Sequence, residues 1–289
     1  AERSSFPIYG NLVTIFLENG HVRTSPIFFE KLLLLPQLVH PPSTQSIFEG
    51  LSVIRARDYN QYLIRNGRAK NITLPFSTSS LTPGLSLQGN LLSDTLNVEE
   101  SSSTLMGINY EFKDFSIFHS QPTDSLLKPM MHRSDNFFAE QSLLMVSNEM
   151  LGVMNDERII DTLLKTDLKD LPQKPRWVDG SGLSRYNLFT PQDFVTILNK
   201  MKNEFGMERI KVILPTGGEG TISSYYKADS GYIYGKTGTL SGVVAFSGFL
   251  YTKKGKLLIF STLVNNHQAS ATEVRRAVEK FLQRIRNDY

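Results

Sequence analysis

Three apolar segments near the C-terminus, separated by short turns that contain glycine, predict an antiparallel meander of strands. The first, residues 231–234, is aromatic and β-branched and leads directly into Gly235-Lys236-Thr237-Gly238-Thr239. The other two are residues 243–251 and 257–264. Connections this short join antiparallel neighbours, because parallel strands need a crossover of a dozen or more residues. Lys236 and Thr237 are therefore expected to lie on a strand.

Lys236, Thr237 and Gly238 form a combination suited to a peptide ligand. A strand that presents an ammonium, a hydroxyl and a glycine can bind an extended peptide as an extra strand and hold its terminal carboxylate. A solvated strand end followed by a turn glycine is the simpler interpretation, and the tripeptide alone does not exclude it. A P-loop is excluded, because that motif needs a glycine where the chain has Ser230, and a helix where a strand is expected.

The composition narrows the possible classes of function. The 289 residues are 40% hydrophobic and 20% charged, as in a globular protein of one large or two modest domains. The net charge of +3 comes from scattered Lys and Arg residues, which disfavours nucleic acid as a partner. No apolar run approaches the roughly 18 residues of a transmembrane segment. The absence of cysteine excludes disulfides, thiolate zinc sites and a cysteine nucleophile.

The character of the sequence changes at about residue 115. Residues 1–115 are rich in turns, with a hairpin expected at Asn19-Gly20, and predict a β-rich domain or insert. Residues 116–289 predict three helices at 125–132, 136–151 and 161–170. They also predict a helix that begins at the N-cap Thr190 and ends at about 205, and another at the C-terminus. Helices around an antiparallel sheet define an α+β fold.

Ser134-Asp135-Asn136 is expected between two of these helices, well upstream of Lys236. A hydroxyl and an amide presented by such a loop can relay a proton and hold a substrate carbonyl. The same tripeptide is also an ordinary start for a helix, because Ser, Asp and Asn are preferred N-caps. The order Ser-Asp-Asn followed by Lys-Thr-Gly favours the catalytic interpretation.

Five sequence blocks together resemble a known family. They are residues 132–140, 177–184, 214–221, 235–242 and 263–266. In this order they resemble the D-Ala-D-Ala carboxypeptidase/endopeptidase penicillin-binding proteins of low-molecular-mass class C, over about residues 116–289. Serine enzymes that recognise penicillin combine Ser-x-x-Lys, Ser-x-Asn and Lys-Thr-Gly motifs. The resemblance implies a penicillin-binding-protein/β-lactamase-like transpeptidase fold for the second half, preceded by a β-rich inserted domain.

The Lys-Thr-Gly block is the implied substrate-binding strand. By resemblance, Lys236, Thr237 and Thr239 would bind the terminal carboxylate of a D-Ala-D-Ala peptide, or that of a β-lactam. Lys236 would also belong to the catalytic set, and Gly238 would leave room for the ligand.

The Ser-Asp-Asn block and one further loop are the implied remainder of the site. Ser134 would take part in proton transfer, and Asn136 would position the substrate and the lysine of the nucleophile. Asp135 is expected to be structural. Asp179 and Ser181 would belong to a supporting loop near the cleft.

The family's nucleophilic Ser-x-x-Lys has no counterpart at the family position. The two literal matches are Ser125 with Lys128, directly before Ser134, and Ser224 with Lys227, after it. The chain is therefore expected to begin after the nucleophile, as a fragment, a nicked product or a degenerate homologue, and to be inactive alone. Its own missing N-terminal segment is then an expected partner, since an uncovered apolar face would favour association.

The resemblance implies a serine-type D-Ala-D-Ala carboxypeptidase, with possible endopeptidase activity. Its implied partners are peptidoglycan stem peptides, with β-lactams as inhibitors, in the periplasm or cell envelope of a bacterium. It implies neither a metal nor a cofactor. A non-catalytic protein that binds wall peptides or a partner protein with the same cleft is the alternative.

Overall fold

A computed structural model of the chain describes residues 9–35, 48–56, 60–76, 91 and 121–289. The chain divides into two compact units, Ala1–Ile117 and Phe118–Tyr289. The boundary predicted at residue 115 stays a prediction, because residues 92–120 lie outside the described residues.

The first unit contains two three-stranded sheets in its described part. β1 (Leu12–Glu18) pairs antiparallel with β2 (His21–Ser25) and with β6 (Asn71–Pro75). β5 (Tyr62–Asn66) lies between β3 (Leu33–Leu34) and β4 (Leu51–Arg55). Short 3₁₀ segments span Tyr9–Asn11 and Ile27–Leu32. The core is aromatic and aliphatic, and its largest fully buried members are Tyr62, Phe29 and Phe76.

The second unit begins with helices and ends with one. The helices are α1 (Asp124–Arg133), α2 (Asn136–Leu151), α3 (Asp156–Lys165), α4 (Pro191–Ile213) and α5 (Ala271–Asp288). The prediction of a helix over 161–170 is wrong, because Asn155 caps α3 by accepting the Arg158 N–H at 2.8 Å and so starts it earlier. The end predicted for α4 at about residue 205 coincides with a break at the non-helical Gly206 (φ 73°), after which a second helical stretch continues to Ile213.

The sheet of the second unit is the predicted meander. β7 (Ile233–Leu240), β8 (Val243–Tyr251) and β9 (Leu257–Asn265) pair antiparallel in that order, so that Lys236 and Thr237 lie on β7. α5 packs on one face through Leu282 against Phe246 and Leu250. α4 packs on the other face through Leu198 and Ile210 against Phe249. Side chains alternate between the faces along each strand, which produces a helix–sheet–helix layering and confirms the α+β class.

No helix in the ranges that the structure describes combines the length and the apolarity of a membrane span.

Candidate active site

The Ser-Asp-Asn loop and the Lys-Thr-Gly strand meet in the structure. Ser134 joins α1 to α2 in the left-handed conformation (φ 56°, ψ 52°). This sharp reversal places its hydroxyl 2.8 Å from the Lys236 ammonium, which donates to it. Lys236 also donates to the carbonyl oxygen of Thr237, at 2.5 Å. An ammonium has three N–H donors, so the third remains available to a ligand.

Burial lowers the pKa of Lys236 from 10.5 to about 8, since a desolvated ammonium favours its neutral form. The side chain is only partly accessible, whereas Ser134 is exposed. Among the described residues, no carboxylate contacts this ammonium and raises its pKa again. An anionic ligand would do so, because a nearby negative charge favours the protonated form.

The outer edge of β7 is covered over its first half only. The Gly235 N–H donates to the Pro215 carbonyl oxygen at 3.2 Å. Thr216 pairs with Tyr234 in an isolated antiparallel β-bridge. Backbone groups alternate between the two edges of a strand, so the N–H and C=O groups of Thr237 and Thr239 point the same way as those of Gly235. No described strand pairs with them there. This edge can therefore take a peptide as a further strand.

The side chains of Thr237 and Thr239 lie on the face of the sheet that packs on α5. The Thr237 hydroxyl donates to the Thr221 hydroxyl at 2.8 Å. Thr239 accepts a hydrogen bond from the Arg275 guanidinium of α5 at 2.6 Å. Lys236 and the two threonines thus flank the free edge of β7 from opposite faces.

Asp135 and Asn136 have different local environments. The Asp135 side chain accepts the Phe138 N–H at 3.0 Å, so it caps α2, as the structural interpretation predicts. Asn136 is the first residue of α2 and is exposed, and its side chain makes no hydrogen bond to the described residues.

The loop that contains Asp179 and Ser181 is tied to α2. The Glu140 carboxylate accepts the N–H groups of Gly180 at 3.3 Å and Ser181 at 3.1 Å. Asp179 stiffens the loop by accepting the N–H groups of Gly182 and Ser184, at 2.7 and 2.6 Å.

The far end of the same loop reaches the β7–β8 turn. There the Arg185 guanidinium donates to the Ser241 carbonyl oxygen at 2.9 Å. The loop is thereby anchored on both α2 and the hairpin that carries the Lys-Thr-Gly strand.

Neither literal Ser-x-x-Lys match has the environment of an activated nucleophile. Ser125 and Lys128 are both exposed on α1, and Ser224 and Lys227 are both exposed beside β7. A lysine that is to remove a serine proton near neutral pH has to be buried or placed beside another cation, so that its pKa falls.

His132 lies two residues before Ser134 in the chain. His132 lies in the last turn of α1, where burial lowers its pKa and so favours the neutral ring. No group of three or more His, Asp or Glu side chains that could hold a metal ion lies within the part of the chain described above.

Three side chains at the site could not be predicted from the sequence: Glu140, Thr221 and Arg275. Glu140 and Thr221 lie within the blocks that carry the family resemblance. The resemblance therefore includes their positions but predicts none of their contacts. Arg275 lies outside all five blocks, and no local pattern distinguishes it from its neighbour Arg276.

A Ser-x-Asn loop between helices, facing a Lys-Thr-Gly strand on an antiparallel sheet, supplies two of the three motifs of the serine enzymes that recognise penicillin. The chain belongs to the D-Ala-D-Ala carboxypeptidase 3 (S13) family, whose sequence profile matches residues 78–285. The resemblance drawn from the five blocks is therefore confirmed, and the match starts well before the first of them.

Curated relatives agree with this family. The chain is 29% identical over 217 residues to carboxypeptidase DacB of Mycolicibacterium smegmatis, covering 71% of this chain and 46% of that protein. It is 29% identical over 180 residues to D-alanyl-D-alanine carboxypeptidase DacB of Haemophilus influenzae, covering 59% of this chain and 37% of that protein. The chain thus spans less than half the length of these relatives.

Among solved structures, penicillin binding protein 4 of Haemophilus influenzae in complex with a β-lactam has a similar fold. The TM-score is 0.59 at 21% identity, over 96% of this chain and 68% of that one. The penicillin-binding-protein-like fold predicted from the sequence is confirmed.

Proposed function

We propose that the chain is the substrate-binding part of a serine-type D-Ala-D-Ala carboxypeptidase that acts on peptidoglycan stem peptides and binds β-lactams. The observation that carries this proposal is the 2.8 Å contact between Lys236 and Ser134 at the free edge of β7. It brings a cation and hydroxyl groups next to backbone groups of β7 with which no described strand pairs, and this combination matches an extended peptide that ends in a carboxylate.

The carboxylate of the terminal D-Ala would be held by Lys236, Thr237 and Thr239. The third N–H of the ammonium and the Thr239 hydroxyl are available to it, and the Thr237 O–H would turn from Thr221 to the carboxylate. The peptide backbone would pair with the outward groups of β7. Substrate oxygen atoms that gain negative charge during acyl transfer are stabilised by such fixed N–H donors.

Ser134 and Asn136 would serve the reacting bond. Because the Ser134 oxygen accepts from Lys236, its own O–H is directed elsewhere and can pass a proton to the departing D-Ala nitrogen. Asn136 is exposed beside it and would hold the amide of the substrate. Asp179 and Ser181 would support the cleft from the loop fixed by Glu140.

The chemistry is acyl transfer in two steps. A serine oxygen attacks the carbonyl carbon between the two D-Ala residues, its proton passes to the departing amine, and D-Ala leaves. Water then hydrolyses the ester and restores the serine. Since Ser125 and Ser224 both lie beside exposed lysines, we propose that this serine belongs to a segment outside the chain, and that the chain alone does not turn over.

Binding of a fluorescent penicillin tests the proposed cleft. Reversible binding, followed by fluorescence polarisation, is expected for the parent chain and is expected to disappear in Lys236→Met. Arg284→Gln removes an exposed cation of α5 and serves as the charge-matched control. Equal binding by the parent and Lys236→Met would refute the assignment.

Intact mass after the same incubation tests the nucleophile. The account predicts no stoichiometric adduct. An adduct that disappears in Ser125→Ala or Ser224→Ala would identify that serine as the nucleophile and would overturn its dismissal.

The relatives and the family point to a cell-wall enzyme, and we propose an envelope location, in the periplasm if the source has one. The proposed protein partner is the segment that would supply the nucleophile.

A further inference from the structure

Arg275 is the one arginine of α5 without a carboxylate partner in the described part of the chain. Its three counterparts on the helix are each ion-paired: Arg276 with Glu279, Arg284 with Asp288 and Arg286 with Asp229. Arg275 donates instead to the neutral Thr239 hydroxyl, at 2.6 Å. Its positive charge is therefore not neutralised within the described residues.

The position of this charge is the second observation. Arg275 lines a small cleft together with Thr221 and Thr237, above an apolar floor that includes Phe246 and Val278. As a whole residue Arg275 is partly buried, and its hydrogen bond to Thr239 lies exposed at the free edge of β7. An uncompensated cation thus lies beside both threonines of the Lys-Thr-Gly-Thr strand.

The contact fixes the polarity of the Thr239 hydroxyl. A guanidinium only donates, so the Thr239 oxygen is the acceptor in this pair. The hydroxyl hydrogen of Thr239 is then free to point away from Arg275, toward the edge where a ligand would lie. A hydroxyl polarised by a cation is a stronger donor to an anion than an isolated hydroxyl.

We propose that Arg275 is a positioning residue that makes the site select ligands with a free C-terminal carboxylate, acting through the Thr239 hydroxyl. The inference rests on the proposed function and deepens it. Together with Lys236 on the other face of the sheet, it places two cations around one carboxylate. A ligand whose carboxylate is replaced by a neutral amide gains nothing from either charge.

A comparison of N-acetyl-D-Ala-D-Ala with its C-terminal amide tests this selection. Affinities are measured by ¹⁵N chemical-shift titration for the parent chain, Arg275→Gln, Arg275→Lys and Arg284→Gln. The parent is expected to prefer the acid. Arg275→Gln is expected to weaken binding of the acid by roughly tenfold and to leave the amide unchanged, since one charge-assisted contact is lost. Arg275→Lys should recover part of the preference, and Arg284→Gln should behave as the parent.

The outcomes separate the inference from the function on which it rests. A parent that prefers the acid, with an unchanged preference in Arg275→Gln, overturns the role of Arg275 and leaves the proposed function intact. Equal weakening of acid and amide by both Arg275 variants means a structural role and also overturns it. A parent that binds neither ligand refutes the proposed function, and the inference with it.

Discussion

At the scale of single residues, the site combines groups that the fold alone does not require. The partial burial of Lys236 as an ammonium lowers the stability of the fold, because its lowered pKa means that the folded chain favours the neutral amine. This loss of folding stability is full below about pH 8, where the ammonium is charged in the folded chain. It decreases as the pH rises from about 8 toward 10.5. Lys236→Met is therefore expected to stabilise the fold at pH 7 by about 1–2 kcal/mol while abolishing binding, a trade-off common at functional sites.

The titration of Lys236 predicts the pH dependence of binding. Since a carboxylate is attracted to the ammonium and not to the amine, affinity for penicillin should be constant below the pKa of about 8 and decrease above it. Polarisation measured from pH 6 to about 10 checks this. An affinity that stays level across this range would show that Lys236 does not contact the ligand as a cation.

Two glycines of β7 give a matched pair of substitutions. A Cβ at Gly235 would lie 2.7 Å from both the Phe246 ring and the Ser247 carbonyl oxygen, so Gly235→Ala should lower the free energy of unfolding by about 2 kcal/mol. A Cβ at Gly238 would meet only the Ala245 Cβ, at 3.4 Å. Gly238→Ala should therefore change the free energy of unfolding by less than about 0.5 kcal/mol.

The effect on binding should be the decisive difference at Gly238. If this glycine leaves room for a ligand, Gly238→Ala weakens penicillin binding although the fold is unchanged. Urea unfolding and polarisation on the same samples measure both quantities. Unaltered binding would mean that the ligand does not approach this position.

At the scale of elements, α5 holds the segment that presents Thr221 to the Lys-Thr-Gly strand. Glu279 is buried and accepts the Tyr226 N–H at 2.5 Å, while Arg276 donates to Glu279 and to the Ser224 carbonyl oxygen. Tyr226 has a left-handed backbone (φ 53°) and stacks on Phe246. One carboxylate on the helix thus fixes a turn that lies beside the site.

Removal of that carboxylate should destabilise the second unit. Glu279→Ala leaves the Tyr226 N–H unpaired and is expected to lower the free energy of unfolding by about 2–3 kcal/mol. Lys280→Ala, at the next and exposed position of α5, is the control and should stay within about 0.5 kcal/mol. Urea unfolding gives both values, and equal stability of the two variants would contradict this account of the turn.

The elements that could be predicted are those with a strong local pattern. The sheet β7–β9 follows from apolar runs and glycine turns, and the helical spacing of residues along 136–151 predicts α2 at its observed bounds. α3 was misplaced because its cap, Asn155, was not recognised. The Arg275–Thr239 and Glu279–Tyr226 contacts could not be predicted, because they join distant positions through the packing of α5 on the sheet.

At the scale of the whole molecule, the sheet of the second unit ends in an open edge. β9 is nine residues long, pairs only with β8 among the described strands, and is partly exposed along most of its length. An apolar edge strand is a template for pairing with another chain.

The chain is therefore expected to self-associate as its concentration rises, and sedimentation velocity would measure this. Leu263→Lys places a charge on β9 outside the buried clusters and should reduce association without a comparable loss of stability. A parent chain that sediments as a monomer at every concentration would show that this edge is already covered.

The central claim is that the cleft between Ser134 and the edge of β7 recognises a D-Ala-D-Ala terminus. The most direct test is a ¹⁵N titration of the parent chain with N-acetyl-D-Ala-D-Ala and with N-acetyl-L-Ala-L-Ala. The account predicts saturable binding of the D,D peptide, with the largest shifts at the Thr237 and Thr239 amides, and much weaker binding of the L,L peptide. Equal affinity for the two peptides, or shifts centred away from β7, would contradict it.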